Sequence, residues 1–152
     1  MTRAQIKKQC VRIMAQATVA YLTTVDARLG PQTRAMLNLR NKRTFPALVR
    51  HYRGRDAFTV YFTTNRSSQK IKQIVRNGQA CACFCLPDEW NGFMAGGKIE
   101  VVDDEKLKRA FWQEGWERYY HKGVDDPDYV VLRLRPAYLK GWLSPELFEF
   151  DL

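Results

Sequence analysis

Six short segments rich in β-branched and aromatic residues, most separated by only a few turn-forming residues, constrain this chain of 152 residues most. Residues 18–25 read as a strand, Asp26 to Pro31 as a turn punctuated by Gly30 and Pro31, and residues 32–39 as the returning arm of a hairpin. Residues 57–64, 79–86, 93–102 and 129–134 supply four more strands, the last continuing past Pro136 as an extended stretch to Trp142. Helices are fewer. Residues 3–16 place Ile6, Cys10, Ile13, Met14 and Ala17 at helical spacing behind a Thr2 cap, and residues 45–52 suit a short helix. Another helix opens within residues 65–70 and stops at Asn77-Gly78, and Asp103 or Asp104 caps a long one over 105–120. With strands outnumbering helices and short connections between them, the expected class is mostly β: a six-stranded antiparallel barrel with flanking helices, in one domain over residues 1–152.

Composition narrows the setting. At 45% hydrophobic and 27% charged residues the chain is globular, and it has no apolar run of the roughly 18 residues that a membrane helix needs. The N-terminus lacks the apolar stretch of a secretory signal, so the expectation is a soluble, cytoplasmic protein with no membrane partner. Charge is unevenly spread: residues 1–80 hold 16 bases and two acids, while residues 81–152 hold nine bases and 14 acids. A basic front half suits an anionic partner, either a phosphorylated small molecule or nucleic acid. Three of the four cysteines alternate along one strand as Cys81, Cys83 and Cys85. Same-face neighbours about 6.5–7 Å apart with parallel side chains fit neither a disulfide nor a zinc corner. They are expected to pack as small buried hydrophobes, with no metal site.

Two pieces of sequence point to an anion. In Tyr61-Phe62-Thr63-Thr64-Asn65-Arg66-Ser67-Ser68-Gln69-Lys70 a strand runs through a loop into a helix start. Such a start carries unpaired N–H groups and positive partial charge; Thr64, Ser67 and Ser68 add hydroxyls, and Lys70 adds a cation in the first turn. The plainer reading is an ordinary serine cap beside a solvated lysine. Strand alternation puts Arg34, Met36 and Asn38 on one face, with Ala35, Leu37 and Leu39 facing a core. An arginine within an apolar strand needs an anion or a route to water. The aromatic stripe Trp112, Trp116 and Tyr120 suits core or dimer packing, or a cover over a ligand from a partner subunit. His51 and His121 show no metal-ligand or nucleophile spacing.

The order of these motifs resembles a known family. A hairpin with Arg34-Ala35-Met36 on its second strand is followed by Phe62-Thr63-Thr64 and then Ser68 and Lys70. Gly97-Lys98-Ile99-Glu100-Val101-Val102-Asp103-Asp104 then precedes a Trp-bearing helix. Over roughly residues 17–142 this is similar to the pyridoxamine 5′-phosphate oxidase-like, FMN-binding split-barrel superfamily, in its general stress protein branch. The resemblance implies that Arg34 and Lys70 bind the FMN phosphate with Ser68 and Gln69 beside them. It sets the backbone of Arg34, Ala35, Met36 and Leu37 along the isoalloxazine ring, and has Thr63 and Thr64 donate to the ribityl and phosphate region. Trp142 matches a tryptophan that meets the flavin, and homodimers with flavin at the interface are implied. Two departures stand out. The Arg-x-His substrate clamp of the true oxidases is replaced by Phe148, Glu149 and Phe150, and a flavin-binding Gln falls near Asn91 or Gly92.

The expectation is therefore a homodimeric FMN-dependent oxidoreductase, with NADH or NADPH as an electron donor, that does not oxidise vitamin B6. One alternative is a non-catalytic flavin, deazaflavin or haem binder in a stress response. A second takes Arg40, Lys42, Arg43, Arg50, Arg53 and Arg55, interleaved with Phe45 and Tyr52, as a nucleic-acid surface. The acidic back half disfavours that surface. No side chain is assigned as catalytic, because a flavin carries the redox chemistry itself.

Overall fold

The computed structural model describes residues 1–53 and 57–152. The chain runs α1 (Arg3–Gln16), β1 (Val19–Val25), β2 (Pro31–Leu37), a 3-10 turn (Pro46–Tyr52), β3 (Val60–Asn65), α2 (Gln69–Arg76) and β4 (Gln79–Leu86). It continues with β5 (Asn91–Val102), α3 (Glu105–Phe111), β6 (Tyr129–Leu143) and β7 (Glu146–Asp151). All strand pairings are antiparallel, in the order β2-β1-β4-β5-β6-β3, with β7 also on β6. The sheet curls into a half-barrel that stays open between its end strands β2 and β3. That bears out the mostly β, split-barrel expectation.

β6 is the spine. β5 pairs along its whole length on one side, while β3 takes Tyr129–Leu134 and β7 takes residues 138–143 on the other. The extended stretch expected after Pro136 is thus the second half of one strand. Pro136 cannot donate to a ladder, and it sits opposite Gly97 where the register slips between Gly96 and Gly97. β7, a seventh strand beyond the six expected, turns Phe148 and Phe150 onto the core and Glu149 outward to Lys140 at 2.9 Å.

The main core fills the barrel with Ala20, Leu22, Phe62, Ala82, Phe84, Phe93, Ala95, Leu132 and Leu139. α1 closes it with Cys10, Ile13 and Met14. Thr2 caps α1 reciprocally with Gln5, and buried Asn38 donates to the carbonyls of Met14 (2.9 Å) and Ala17 (2.7 Å) at its other end. A second core lies on the outer side of β3 and β6, where Tyr61, Tyr129 and Val131 meet Phe111, Trp116 and Tyr120.

The expected long helix over 105–120 ends at Phe111. Gly115 adopts φ +88°, a conformation that breaks a helix, and Trp116–Arg118 form a separate 3-10 turn. Its aromatic stripe nonetheless converges. Trp112, Trp116 and Tyr120 all pack on Tyr129, with centroids 5.1, 6.3 and 5.0 Å away, which makes the stripe a core element. Among the described residues no helix is long and apolar enough to cross a membrane.

Candidate functional site

The open seam is where polar side chains converge. β2 and β3 end the main run of paired strands, so each keeps unpaired backbone groups along one side. α2 bridges them: Gln73 reaches β1 and β2, and Lys70 reaches β3. On β2, Arg34 turns inward and is half-buried. Its guanidinium donates to Thr24 Oγ1 (2.7 Å), to the Leu22 carbonyl (3.2 Å) and to Gln73 Oε1 (3.1 Å). Thr24, fully buried, itself donates to Gln73 Oε1 at 2.6 Å. Lys70 Nζ donates to Thr64 Oγ1 at 2.9 Å.

All of these partners are neutral. Among the described residues neither Arg34 nor Lys70 forms an ion pair. Burial pulls the Arg34 pKa down, and it pulls Lys70 below the ordinary lysine range, with the charge of Arg34 as the second cause. Two half-buried cations that repel each other are stabilised by an anion between them. The start of α2 adds donors. Ser68 is its N-cap residue, yet its hydroxyl makes no cap bond and lies buried without a partner. Nothing among the described residues accepts from the amides of Gln69 or Lys70 either.

Of the residues expected at the site, the structure brings Arg34, Thr64 and Lys70 to the seam, with Ser68 as the N-cap residue of α2 and Gln69 exposed at its first position. Ser67 turns away: its amide and hydroxyl both donate to Asp128, at 2.7 and 3.1 Å. Thr63 points to the opposite face of β3 from Thr64. Met36 packs half-buried against the core beside Arg34, whereas Ala35 and Leu37 are exposed. The expected sense of β2 is therefore reversed for Ala35 and Leu37. Leu39 is buried only because the strand ends at Leu37 and the alternation stops there. Thr24 and Gln73, which hold Arg34, and Asp128, which holds Ser67, are partners that sequence reading missed. A hydroxyl on a β-rich strand and an amide five positions into a helix carry no local signal of what they face.

A family model described as pyridoxamine 5′-phosphate oxidase matches residues 6–143. The chain belongs to that family. This agrees with the resemblance carried by the motif order. Among solved structures, a protein related to general stress protein 26 from Clostridium acetobutylicum superposes with a TM-score of 0.79 at 20% identity, covering 99% of this chain and 97% of the other. A heme binding protein from Mycobacterium smegmatis gives 0.70 at 14% identity, covering 99% and 60%. A pyridoxamine 5′-phosphate oxidase-related, FMN binding protein from Nostoc punctiforme gives 0.63 at 18%, covering 99% and 95%. At these identities the likeness shows the shared fold. No curated protein matches the sequence.

In this member of the oxidase family the outer face of the sheet carries exposed apolar side chains beside the Thr23–Thr33 hydroxyl pair at 2.8 Å and the Lys140–Glu149 ion pair. Ala82 and Phe84 take the core side of β4, which leaves Cys81, Cys83 and Cys85 half-buried on the outside rather than buried as expected; only Cys10 is a core cysteine. Cys81 and Cys83, with Thr23, Met94, Lys140, Gly141, Trp142 and Leu147, line a groove of about 460 Å3. Trp142 therefore lies on that face and not beside Arg34 and Lys70. Burial raises the Cys81 thiol to about 11 and Cys83 in the same direction, so both stay protonated at neutral pH.

The basic segment does not present its aromatic residues for stacking. Arg40 is buried with its guanidinium 4.3 Å from the Tyr52 ring centre, and Phe45 and Tyr52 belong to the second core. Neither aromatic is free to stack on a base. Arg55 lies outside the described residues.

Proposed function

We propose that this chain binds FMN at the β2–β3 seam and serves as a flavin-dependent redox protein. The observation that carries the reading is the pair Arg34 and Lys70, half-buried with no carboxylate partner among the described residues, at the start of a helix whose cap hydroxyl, Ser68, is buried and unpartnered. That donor set, with the free amides of Gln69 and Lys70, fits a phosphate dianion. Arg34 and Lys70 would hold it, Ser68 would donate to it, and Thr24 and Gln73 would keep the guanidinium aimed. The exposed edge of β2 from Arg34 to Leu37 would lie along the ring system. Bound flavin supplies hydride and electron transfer, and the protein supplies binding and access.

The reading includes a homodimer through the outer face. Leu37 is 52% exposed, Tyr21 40% and Leu147 85%, and together with the groove beneath Trp142 they extend across the sheet. Exposed apolar side chains grouped on one sheet face favour a self-complementary contact between copies. The proposed substrate is not a B6 vitamer: the positions of the clamp hold Phe148 and Phe150, which pack against the core, and Glu149, which pairs with Lys140.

The deciding experiment is the visible spectrum of the purified protein, with mass analysis of the released ligand. A two-band flavin spectrum releasing FMN is expected, with retention lost in Arg34→Ala and Lys70→Ala. A haem Soret band, or a colourless protein that takes up no FMN, would overturn the reading. Bleaching of the bound flavin by NADH or NADPH, with recovery in air, would place the protein among enzymes rather than carriers.

A further inference from the structure

We infer that Asp128 is a positioning residue for the seam. It clasps the Asn65–Ser68 turn so that Ser68 and the first amides of α2 face Arg34 and Lys70, and it thereby sets the preference for a phosphorylated flavin. The inference rests on the reading above and deepens it. The Asp128 carboxylate accepts from Asn65 Nδ2 (2.7 Å), the Ser67 amide (2.7 Å) and the Ser67 hydroxyl (3.1 Å), while its own carbonyl accepts from the Arg66 amide (2.7 Å). Three successive residues of the turn are thus fixed from one position, immediately before β6. The Asp128 amide is tied in turn to Asp126 at 2.9 Å. The Arg66 guanidinium points elsewhere, to Asp103 at 2.7 Å, so the carboxylate is satisfied by the turn's own donors.

A carboxylate suits this task because it only accepts, and its two oxygens can take all three donors at once. An amide at the same place would set its own N–H groups against Asn65 Nδ2. Asp128 holds Ser67, and the next residue, Ser68, keeps a buried hydroxyl with no partner among the described residues.

Simple electrostatics predicts the opposite sign. A carboxylate near a phosphate site repels the phosphate, so removing its charge would tighten binding if Asp128 were merely a neighbouring charge. A positioning role predicts weakening instead, and only for ligands that bear the phosphate.

The test is fluorescence titration of FMN and of riboflavin, its dephosphorylated form, against wild type, Asp128→Asn, Asp128→Ala and Ser67→Ala, with circular dichroism as a fold check. Asp128→Asn is expected to bind FMN about tenfold more weakly, with riboflavin affinity within about twofold of wild type. Ser67→Ala keeps the amide contact and should lose less. Unchanged or tighter FMN binding by Asp128→Asn would overturn the inference, as would an equal loss of both ligands. If Asp128→Ala fails to fold, Asp128→Asn decides alone. Equal affinity of the wild type for FMN and riboflavin would instead overturn the seam as a phosphate site, and this inference with it.

Discussion

The hydroxyl of Thr24 donates to the side-chain oxygen of Gln73 across 2.6 Å, and both of those oxygens also accept from Arg34. Three elements (β1, β2 and α2) are thereby locked around one guanidinium. Thr24→Val keeps the shape of the side chain but removes an acceptor from Arg34 and a donor from Gln73. Gln73→Leu removes the other anchor. Each is expected to weaken FMN binding about tenfold, and Thr24→Val to cost about 1–2 kcal/mol of stability, since a lost buried hydrogen bond leaves its partners unpaired. Flavin titration and urea unfolding check both. Unchanged FMN affinity in the two variants would mean that Arg34 needs neither anchor.

Lys70 is expected to give the proposed site an alkaline limit. Without ligand its pKa lies below the ordinary lysine value of 10.5, through burial first and Arg34 second. A phosphate dianion favours the charged form and raises that pKa, so binding takes up a proton once the pH reaches the depressed value. FMN affinity is therefore expected to be flat above the phosphate's second ionisation and then to fall as pH rises through the depressed pKa. Stability of the unliganded fold moves the other way. A base with a lowered folded pKa penalises the fold at low pH, and the penalty lifts as pH climbs from the folded towards the unfolded value. Lys70→Met should abolish both slopes, read as differences from wild type by titration and by denaturant unfolding. A fall in FMN affinity of the same steepness in Lys70→Met would assign the limit to another group.

Much of this architecture was legible in the sequence because its local signals agree with its tertiary roles. The hairpin of β1 and β2 is marked by Gly30 and Pro31, and α1 by Thr2 and its apolar spacing. The seam was legible in part: Arg34, Thr64, Ser68 and Lys70 stand out as cations and hydroxyls at a strand-to-helix junction. What failed was the sense of exposure. The β2 strand has a polar residue inside and apolar residues outside, because its inner face meets α2 at the seam and its outer face extends the apolar sheet. The same inversion put Cys81 and Cys83 outside. In β7 the signal existed, since Phe148 and Phe150 alternate with Glu149 and Asp151, but a short segment joined by a two-residue turn is easily read as a tail. Asp128 could not be found from sequence at all, because the turn it clasps lies about 60 residues away.

The β-bulge opposite Pro136 carries a steric requirement that separates two adjacent glycines. A Cβ on Gly97 would sit 2.2 Å from the Arg135 carbonyl oxygen and 2.8 Å from the Pro136 Cα, both backbone atoms. A Cβ on Gly96 would meet the Tyr138 ring, at 2.3 Å, which is a side chain able to swing aside. Gly97→Ala is expected to destabilise by about 2 kcal/mol or more, and Gly96→Ala by less. Urea midpoints give the ranking. The reverse order would show that the β5–β6 backbone yields more readily than the Tyr138 ring.

The outer face yields the last prediction. On an isolated subunit Leu37 is 52% exposed at a sheet edge, so Leu37→Glu replaces one solvated side chain with another and should leave stability within about 0.5 kcal/mol. If the face joins two copies, the same change brings a buried charge into a contact that meets its own symmetry mate. The variant is then expected to run as a monomer at micromolar concentration by light scattering, where the wild type runs as a dimer. Because the edge of β2 borders the seam, flavin retention should fall along with dimerisation. A variant that stays dimeric and holds its flavin would place the subunit contact on another surface. A monomeric wild type with full FMN affinity would make the seam complete within one chain.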